Sequence, residues 1–355
     1  MVESVYVHIP FCKQKCLYCD FNSFKGKENL IDSYMEALYK ECARFSFDGL
    51  KTIYIGGGTP SFIDSKYIVR LLTILPKAEE VTIEMNPCTV TKEKLEDYKK
   101  AGVNRISMGL QTTNNEILKE IGRVHTLEDF EKAYELIKEV GFDNINADLM
   151  FGLPTQTIED VEKSLNYLIE KNPTHISCYS LILHNDIFEN LPSDEIEREM
   201  YYLTKRKLKV AGYEQYEISN FAKIGYESKH NMACWNQEEY IGLGAGASSY
   251  VDNTRYTNER SIEKYIEKVN NEEDIRDIEE VQDEDAKVRE YMILKLRTLQ
   301  GIDLLYANNK FDMENRFQRE IEKLIKQELL EKKEGYLRLT EKGLDFANIV
   351  WEEFI

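Results

Sequence analysis

Three cysteines near the start of the chain form the pattern C-x3-C-x2-C, at Cys12, Cys16 and Cys19. Soft thiolate ligands suit iron–sulfur clusters and zinc, and three of them in one loop can hold three corners of a [4Fe–4S] cluster. A structural zinc site usually needs a fourth protein ligand, and the sequence holds no second C-x2-C pair to supply it. His8 could complete a zinc site, but a cluster with one open iron is the favoured interpretation.

A second group of candidates lies at the ends of predicted strands. The run GGGTP at 56–60 follows one strand, and its glycines would let backbone N–H groups approach a carboxylate, although a tight turn explains the run equally well. Glu84 and Gln111 close two further strands. Arg123, in IGRVHT, is a further candidate for binding a ligand, although a lone arginine near a helix end could equally form surface ion pairs. Asp148 lies on an otherwise apolar strand, where an unpaired buried carboxylate would be costly.

The elements that must position these residues alternate between strand and helix over the first 180 residues. The predicted strands are Val5–Ile9, Thr52–Ile55, Glu80–Met85, Val103–Met108, Asn144–Met150 and His175–Ser180. Amphipathic helical segments lie between them, and such alternation implies parallel strands with helical crossovers. We therefore predict an α/β fold, a partial (β/α)6 TIM-like barrel, in which ligands gather at the carboxyl ends of the strands.

The pattern changes after residue 180. Ser193–Gly212 predicts a long helix, and the run 272–285, with nine acidic residues and one arginine, predicts a solvated linker or helix face. From about residue 283, helices and then a hairpin in GYLRLTEKGLDFANIV predict a smaller, mainly helical unit that resembles a winged helix. The expected division is a barrel core over 1–180, an extension over 181–270 and a winged-helix-like domain over 283–355.

Composition excludes several classes of protein. The chain has 355 residues, 42% of them hydrophobic, and a formal net charge of −18, which argues against global disorder and against nonspecific binding to nucleic acid or anionic membranes. No stretch free of Asp, Glu, Lys and Arg exceeds 14 residues, so no stable membrane insertion is expected. The start of the chain lacks a signal-peptide pattern. Seven cysteines, an odd number, favour a reducing cytoplasm.

The cysteine pattern, with the aromatic Tyr18 before its last cysteine, resembles the signature of radical S-adenosylmethionine (SAM) proteins. The segments VYVHIPFCKQKCLYCDFNSF and IYIGGGTPS resemble the branch that contains oxygen-independent coproporphyrinogen III oxidase and the HemW-type heme chaperones. Similar motifs follow in order from Tyr6 to Tyr250. The resemblance implies that the open iron binds SAM and that the reduced cluster supplies the electron that cleaves it.

The resemblance also implies a SAM site at the carboxyl ends of the strands. Glu84 would accept hydrogen bonds from the ribose hydroxyls, and the two tyrosines would shield the cluster or contact the adenine. In the oxidase some of these positions serve a second SAM, so one or two molecules are compatible with the pattern. The implied SAM residues are Tyr6, Tyr18, Gly57, Gly58, Thr59, Glu84, Gln111, Arg123 and Asp148.

Three features separate the chaperone type from the oxidase. The oxidase has a further cysteine two residues after its third cluster cysteine, where this chain has Phe21, and an N-terminal extension, whereas Cys12 lies almost at the start here. The segment HNMACW resembles the H-N-x-x-Y-W element of HemW proteins, which implies that His230 is a heme ligand. Cys234 replaces the tyrosine and would lie on the same helical face as His230. Taken alone, His230 and Trp235 would be structural residues.

These observations predict a heme chaperone that binds a [4Fe–4S] cluster, SAM and heme and transfers heme to an acceptor hemoprotein. A flavodoxin or ferredoxin is the expected electron donor. The alternative function is that of the oxidase, which decarboxylates the propionates of coproporphyrinogen III. Because heme carries carboxylates, a locally basic pocket is expected near the HNMACW segment, at Lys223, Lys229 and Arg255.

Overall fold

A computed structural model describes residues 2–182 and 187–355. Its first part contains six parallel strands that pair in sequence order. These strands are β1 Ser4–Ile9, β2 Leu50–Gly57, β3 Ala78–Met85, β4 Arg105–Gln111, β5 Asn144–Phe151 and β6 His175–Ser180. The helices between them are α1 Ile31–Cys42, α2 Ser65–Ile74, α3 Lys92–Ala101, α4 Asn115–Glu120, α5 Leu127–Val140 and α6 Ile158–Lys171. The predicted partial barrel is confirmed; only the short α4 was not expected.

Local sequence signals explain where the helices begin and end. At α5, the Thr126 side chain accepts from the N–H of Asp129, and the Asp129 carboxylate accepts from the N–H of Thr126, which is a capping box. The helix ends at Gly141, whose φ of 89° is a left-handed conformation that favours glycine. Each helix packs its apolar face onto the sheet and so presents the strand ends at a common rim.

The inside of the barrel is polar. Along β4 every residue is buried, but Ile106 and Met108 pack into the hydrophobic core whereas Arg105 and Ser107 line an interior cavity. This alternation is the two-residue period of a strand. A closed (β/α)8 barrel usually fills its interior with branched aliphatic side chains. Here the interior instead provides hydrogen-bonding groups around an open space.

After the barrel strands, six more strands extend the sheet on both sides. They are β7 Glu214–Glu217, β8 Asn220–Ala222, β9 Tyr240–Leu243, β10 Ser248–Val251, β11 Thr254–Asn258 and β12 Arg276–Val281. The order in the sheet is β12-β11-β10-β9-β1-β2-β3-β4-β5-β6-β8-β7, with β9 parallel to β1 and β8 antiparallel to β6. The helices of this region are α7 Asp194–Val210, α8 Lys229–Trp235 and α9 Ile262–Asn270. The predicted α7 is confirmed.

The acidic run 272–285 was expected to be a linker or a helix face, and this prediction is wrong for its central part. β12 forms there as the edge strand of the large sheet and pairs antiparallel with β11. All six residues of β12 are exposed, so its charged side chains remain in water. Charge on an exposed edge strand discourages pairing with other chains, and charge density alone does not distinguish such an edge from a linker.

The C-terminal unit has its own hydrophobic core, separate from that of the barrel. The predicted helices followed by a hairpin are confirmed, and a third short strand completes a β13-β15-β14 sheet. Its helices are α10 Glu284–Leu296, α11 Leu304–Phe311, α12 Met313–Arg316, α13 Gln318–Lys326, α14 Glu341–Asp345 and α15 Ala347–Glu352. Its strands are β13 Ile302–Asp303, β14 Leu330–Lys333 and β15 Tyr336–Leu339.

One contact between the C-terminal unit and the rest of the chain is made by the turn that follows α10. Arg297 Nε donates to Oε2 of the fully buried Glu217 at 3.0 Å, and its guanidinium lies 4.6 Å from the centre of the Trp235 ring. Ile218 N–H also donates to the carbonyl of Arg297. The turn therefore joins β7 to α8. Within residues 2–182 and 187–355, no helix combines the length and apolar character needed to cross a bilayer.

Candidate functional site

One cavity of about 470 Å³ occupies the barrel interior and opens at the carboxyl ends of the strands. We call its upper part, at the strand ends and at the loop of residues 10–24 that carries the three cysteines (the cysteine loop), the rim end. The lower part, lined by Arg105, Asn220, Asn231 and Arg297, is the deep end. Most of the predicted cofactor residues line the rim end. These are Cys12, Cys16, Tyr18, Cys19, Gly57, Gly58, Thr59, Glu84, Gln111, Arg123 and Asp148.

The cysteine loop runs across the cavity mouth. Its backbone is held by Cys12 N–H to the carbonyl of Phe24 at 2.9 Å and by Leu17 N–H to the carbonyl of Ile121 at 3.1 Å. All three thiols face the cavity. Burial raises the pKa of the Cys12 and Cys19 thiols, so a bound metal would be needed to hold them as thiolates.

Each of the three sulfurs has a polar neighbour. Thr59 Oγ1 lies 3.5 Å from Cys12 Sγ, Arg123 Nη1 3.6 Å from Cys16 Sγ, and Ser23 Oγ 3.8 Å from Cys19 Sγ. Hydrogen bonds to cluster sulfurs are one way in which a protein sets the potential of an iron–sulfur centre. Three soft ligands on one loop, each supported in this way, fit a [4Fe–4S] cluster. In the described part of the chain, no three His, Cys, Asp or Glu residues are grouped so as to hold a single metal ion.

His8 supports the cysteine loop instead of supplying a zinc ligand. Its Nε2 donates to the carbonyl of Asn22 at 2.8 Å, and its Nδ1 accepts from Tyr6 OH at 2.9 Å. Both ring nitrogens are therefore engaged. Tyr6 does not reach the cavity wall; its ring lies parallel to that of Tyr54, with centroids 6.2 Å apart, behind the site.

The glycine run after β2 has a different role from the one expected. Its N–H groups were expected to bind a carboxylate, but Gly58 N–H donates to the carbonyl of Ile9 and Thr59 N–H to that of Phe11, both at 2.9 Å. Gly57 N–H donates to Glu84 Oε2 at 3.2 Å. The prediction is wrong for these N–H groups, because they already fix the start of the cysteine loop and the Glu84 side chain.

Glycine is required at two positions of this run because the neighbouring atoms leave no room for a Cβ. Gly57 has φ 110°, and a Cβ there would lie 2.5 Å from His8 Cε1. A Cβ on Gly58 would lie 2.8 Å from the carbonyl oxygen of Phe11 and 3.0 Å from Cys12 Sγ. The run therefore lets β2 pass directly beneath the cysteine loop.

Glu84 faces the cavity from the end of β3. Oε1 accepts from Tyr54 OH at 2.8 Å, and burial raises the pKa of the carboxyl to about 7, opposed in part by that hydrogen bond. A carboxylate has about four acceptor positions, so Glu84 retains capacity for a ligand hydroxyl. Glu84 is therefore neither a helix cap nor a solvent-facing acid, the two alternatives to a binding role.

Gln111 and Arg123 lie together at the end of β4. Gln111 has φ 70°, an uncommon conformation for this residue type, and its buried Oε1 has no hydrogen-bond partner among the described residues. Arg123 Nη2 donates to the carbonyl of Gly109 at 3.2 Å, and Arg123 Nε donates to Nδ1 of the buried His125 at 3.3 Å. A Cβ on Gly109 would lie 2.6 Å from Gln111 Nε2. The unpaired amide oxygen and the strained backbone fit a ligand-binding position.

Asp148 belongs to a polar network on β5. Asn146 Nδ2 donates to Asp148 Oδ1 at 2.6 Å and to Ser107 Oγ at 2.9 Å. Burial raises the pKa of the Asp148 carboxyl, and the Asn146 amide opposes that effect. Tyr18 lies opposite in the cavity wall beside Tyr179, and burial raises the pKa of both phenols. Cavity, donors and acceptors together fit a polar organic cation with a carboxylate, as SAM is.

The run GLGAGASS, which has the glycine spacing of a dinucleotide loop, is a packing element. Asn22 Nδ2 donates to the carbonyls of Ala245 at 3.1 Å and Arg260 at 3.0 Å. A Cβ on Gly246 would collide with the Asn22 amide, and a Cβ on Gly244 would lie 2.5 Å from Tyr34 OH. The run holds the cysteine loop from its outer side.

The HNMACW segment forms α8, which lies beneath the barrel at the amino ends of β2 and β3. The buried carboxylate of Glu80 accepts from the N–H groups of Lys229 and His230, both at 3.1 Å. The next residue, Asn231, lines the deep end of the cavity. The helix is therefore anchored at its start to the barrel interior.

His230 is 5% exposed, and its ring lies 5.2 Å from that of Tyr54. Thr52 Oγ1 donates to Ser4 Oγ, so its 2.8 Å contact with His230 Nδ1 assigns the ring proton to Nδ1. Nε2 has no hydrogen-bond partner within residues 2–182 and 187–355. Burial lowers the pKa of His230 to about 4, so the ring is neutral at pH 7. Cys234 lies one turn further on, where burial raises the pKa of its thiol to about 11.

Comparison with known proteins follows the same division of the chain. A family model described as the Radical SAM superfamily matches residues 6–168, and one described as the HemN C-terminal domain matches residues 282–346. The heme chaperone HemW of Lactococcus lactis is 39% identical over 370 residues, covering 99% of this chain and 97% of that protein. HemW of Bacillus subtilis is 37% identical over 377 residues, covering 100% of this chain and 99% of that protein. The chain belongs to the HemW family.

A solved structure shares the whole fold of this HemW-family chain. Coproporphyrinogen III oxidase (HemN) from Escherichia coli superposes with a TM-score of 0.87, at 23% sequence identity, over 99% of this chain and 89% of that one. At this identity the likeness concerns the fold alone. As radical SAM proteins, members of the family use a [4Fe–4S] cluster and SAM, which agrees with the three thiols and the polar cavity.

The basic residues expected beside the heme segment lie elsewhere. Lys229 pairs with Glu79, Arg255 pairs with Glu290, and Lys223 donates to Asn172; none of the three lines the cavity. Their closeness to α8 in sequence does not place them together in space. The prediction of this pocket is wrong.

Sequence reasoning missed the two arginines that do line the deep end, Arg105 and Arg297. The signal for Arg105 was present in VNRISMGL, since a charged residue in a strand that is otherwise apolar is costly to bury without a purpose. Arg297 gave no local signal, because it reaches the cavity from the C-terminal unit.

Proposed function

We propose that this chain is a heme chaperone that binds heme and passes it to an acceptor hemoprotein, with a [4Fe–4S] cluster and SAM in the same cavity. Near-full-length relatives named as heme chaperones support this function. The cluster ligands are Cys12, Cys16 and Cys19. SAM is held by the rim-end residues given above, and heme is bound at α8.

One structural observation carries the proposal. The cavity that begins at the cysteine loop extends without interruption to Asn231 of α8, the residue next to His230. His230 has the arrangement of an iron ligand, with Nδ1 oriented by Thr52 and Nε2 directed away from that contact. The thiol of Cys234 is a second candidate axial ligand. Binding of SAM at the rim end can therefore affect heme binding, because residues of the same cavity wall contact both ligands.

The chain's own residues have separate tasks at the rim end. Glu84 accepts hydrogen bonds from ligand hydroxyls, the free oxygen of Gln111 accepts from a ligand amine, and Arg123 holds Gly109 and Cys16 in place. Tyr18 and Asp148 close the remaining wall and limit access of water. When bound, the reduced cluster supplies one electron to the SAM sulfonium.

The partners follow from this assignment. An acceptor hemoprotein must receive the heme, and a low-potential one-electron donor, such as a flavodoxin or ferredoxin, must reduce the cluster. Leu17 and Phe21 of the cysteine loop, 55% and 62% exposed, provide an apolar contact close to the cluster for such a donor. These partners and the cluster are consistent with work in a reducing cytoplasm.

The second candidate function is that of coproporphyrinogen III oxidase, a protein whose fold this chain shares. One anaerobic preparation, reconstituted with iron and sulfide, separates the two. Heme binding is followed by absorbance, heme transfer to an apo-hemoprotein by the spectrum of the acceptor, and oxidase activity by loss of coproporphyrinogen III. We expect binding and transfer without decarboxylation. Decarboxylation without stable heme binding would overturn the proposal.

The ligand assignment has its own test. In His230→Ala the heme affinity should fall and the absorbance spectrum should change, because an axial ligand is lost. Met232→Ala, on the same helix, is the control for damage to α8. An unchanged affinity and spectrum in His230→Ala would remove His230 from the site, and the same titration of Cys234→Ser would then assign the ligand.

A further inference from the structure

Arg105 is a buried cation that forms no side-chain hydrogen bond or ion pair with any residue in the part of the chain that the structure describes. It is the first residue of β4, is 2% exposed and lines the deep end of the cavity. Its Nε is buried without a hydrogen-bond partner, and no carboxylate in the described ranges forms an ion pair with its guanidinium. A buried charge of this kind costs several kcal/mol unless an opposite charge or hydrogen bonds compensate it. A bound anion would provide that compensation.

The groups around Arg105 favour a ligand over an internal partner. Glu84 and Asp148 face the same cavity, and Arg105 lowers the pKa of both, but neither forms a hydrogen bond with it. Arg297, at the same end, already donates to Glu217. The charge of Arg297 is thus balanced, and of the two cations at the deep end Arg105 is the one left for a ligand.

Neutral donors complete the surroundings. Ser107, Ser177 and Asn231 line the cavity with Arg105, and His175 and His230 lie near enough for its charge to lower the pKa of each. A guanidinium can hold both oxygens of a carboxylate at once, and hydroxyl and amide groups can occupy the remaining lone pairs. The deep end is therefore suited to a single carboxylate group.

We propose that Arg105 binds a propionate of the heme, with Asn231, which lines the same end of the cavity, as a neutral donor. This inference rests on the proposed function, because a porphyrin whose iron is bound from α8 needs a partner for its carboxylates inside the same cavity. Arg105 and Asn231 of α8 line the same cavity, although they lie more than a hundred residues apart in sequence. Arg105 thus takes the role that the sequence suggested for Lys223, Lys229 and Arg255.

The test compares iron protoporphyrin IX with its dimethyl ester, whose propionates carry no charge. In the reconstituted wild-type protein, the free acid should bind about 10-fold or more tightly than the ester, which is the expected range for one charge-assisted contact. Arg105→Met should weaken binding of the free acid by about the same factor and leave the ester unchanged. Arg105→Lys, which keeps the charge but not the planar fork, should give an intermediate loss.

Two controls keep the outcome clear. Arg319→Met changes an exposed arginine of the C-terminal unit and should bind both porphyrins as the wild type does. The thermal midpoint of Arg105→Met should be equal to or above that of the wild type, because a buried unpaired charge is removed. Equal losses for both porphyrins, or no loss for either, would overturn the inference and leave the proposed function standing. Failure of the wild-type protein to bind heme would overturn both.

Discussion

The rim end and the deep end of the cavity are built in different ways. At the rim end, the cysteine loop and the glycine run are short continuous segments, and several of their backbone N–H groups already form hydrogen bonds. At the deep end, Arg105, Asn220, Asn231 and Arg297 come from four separate elements, and Arg105 has no partner among the described residues. The rim end is thus largely preorganised, whereas the deep end keeps an uncompensated charge for its ligand.

The largest expected effect is loss of the cluster. Replacing Cys12 with Ala should remove one of three cluster ligands and reduce the iron and sulfide content of the reconstituted protein to near zero. Cys88→Ala, at an exposed cysteine outside the loop, is the matched control and should retain full iron content. Full iron content in Cys12→Ala would show that the cluster has other ligands.

A second effect tests how tightly the rim end is packed. Gly57→Ala introduces a Cβ in collision with His8 at a positive φ and should destabilise the protein by about 2–5 kcal/mol and abolish SAM binding. Gly212→Ala is the control, since Gly212 has a similar positive φ (84°) but open space around it, and should cost about 1–2 kcal/mol. Equal losses in thermal unfolding would mean that the His8 contact is unimportant.

A pH effect tests the support behind the rim. Glu41 of α1 is fully enclosed and accepts from Gly244 N–H, Asn258 Nδ2 and Tyr265 OH. Burial raises its pKa to about 7, with the nearby Arg44 acting in the opposite direction. Because the folded state then binds more protons than the unfolded state between about pH 4.5 and 7, the free energy of unfolding should fall as pH rises through this window.

The contribution of Glu41 should be on the order of 3 kcal/mol over the whole window, of which about 2 kcal/mol falls between pH 5.5 and 8. Urea unfolding of the wild type and Glu41→Gln at pH 5.5 and 8 measures it, and the variant should show a smaller loss of stability with rising pH. Glu214→Gln, at an exposed position of β7, should keep the wild-type slope. The same slope in all three proteins would contradict the buried, proton-binding state of Glu41.

The smallest effect sharpens the contrast with the deep end. Lys229 precedes His230 directly, but its side chain is exposed and pairs with Glu79. Lys229→Met should leave heme affinity within about two-fold of the wild type, because exposed ion pairs contribute little and this one lies outside the cavity. A 10-fold loss of heme affinity in a titration of Lys229→Met would show instead that a basic pocket at the surface of α8 binds heme.

The barrel was predictable because its strands and helices carry clear periodic patterns. Each predicted strand lies inside or close to the observed one, as for His175–Ser180, and the motif residues follow directly at the strand ends. The six strands that extend the large sheet after residue 180 were missed, since several have only three or four residues and polar sequences, as in Glu214–Glu217. Their pairing depends on the neighbouring strand and not on local composition.

The candidate site shows the same difference between features set by local sequence and features set by contacts between distant segments. The sequence located the thiols and the rim-end side chains, because these chemistries follow local motifs. It could not show that the N–H groups of Gly58 and Thr59 are already bonded, nor that Arg105 lacks a partner, since both facts depend on contacts between distant segments. The prediction of a basic pocket was wrong for the same reason, because residues close in sequence were assumed to be close in space.

The rim end and the deep end belong to one cavity, and we infer that a ligand bound at one end influences binding at the other. Heme affinity of the reconstituted protein, measured by anaerobic absorbance titration with and without saturating SAM, tests this inference most directly. We expect SAM to change heme affinity by about five-fold or more, and heme to change SAM affinity by the same factor, as linked binding requires. Identical heme affinities with and without SAM would contradict it.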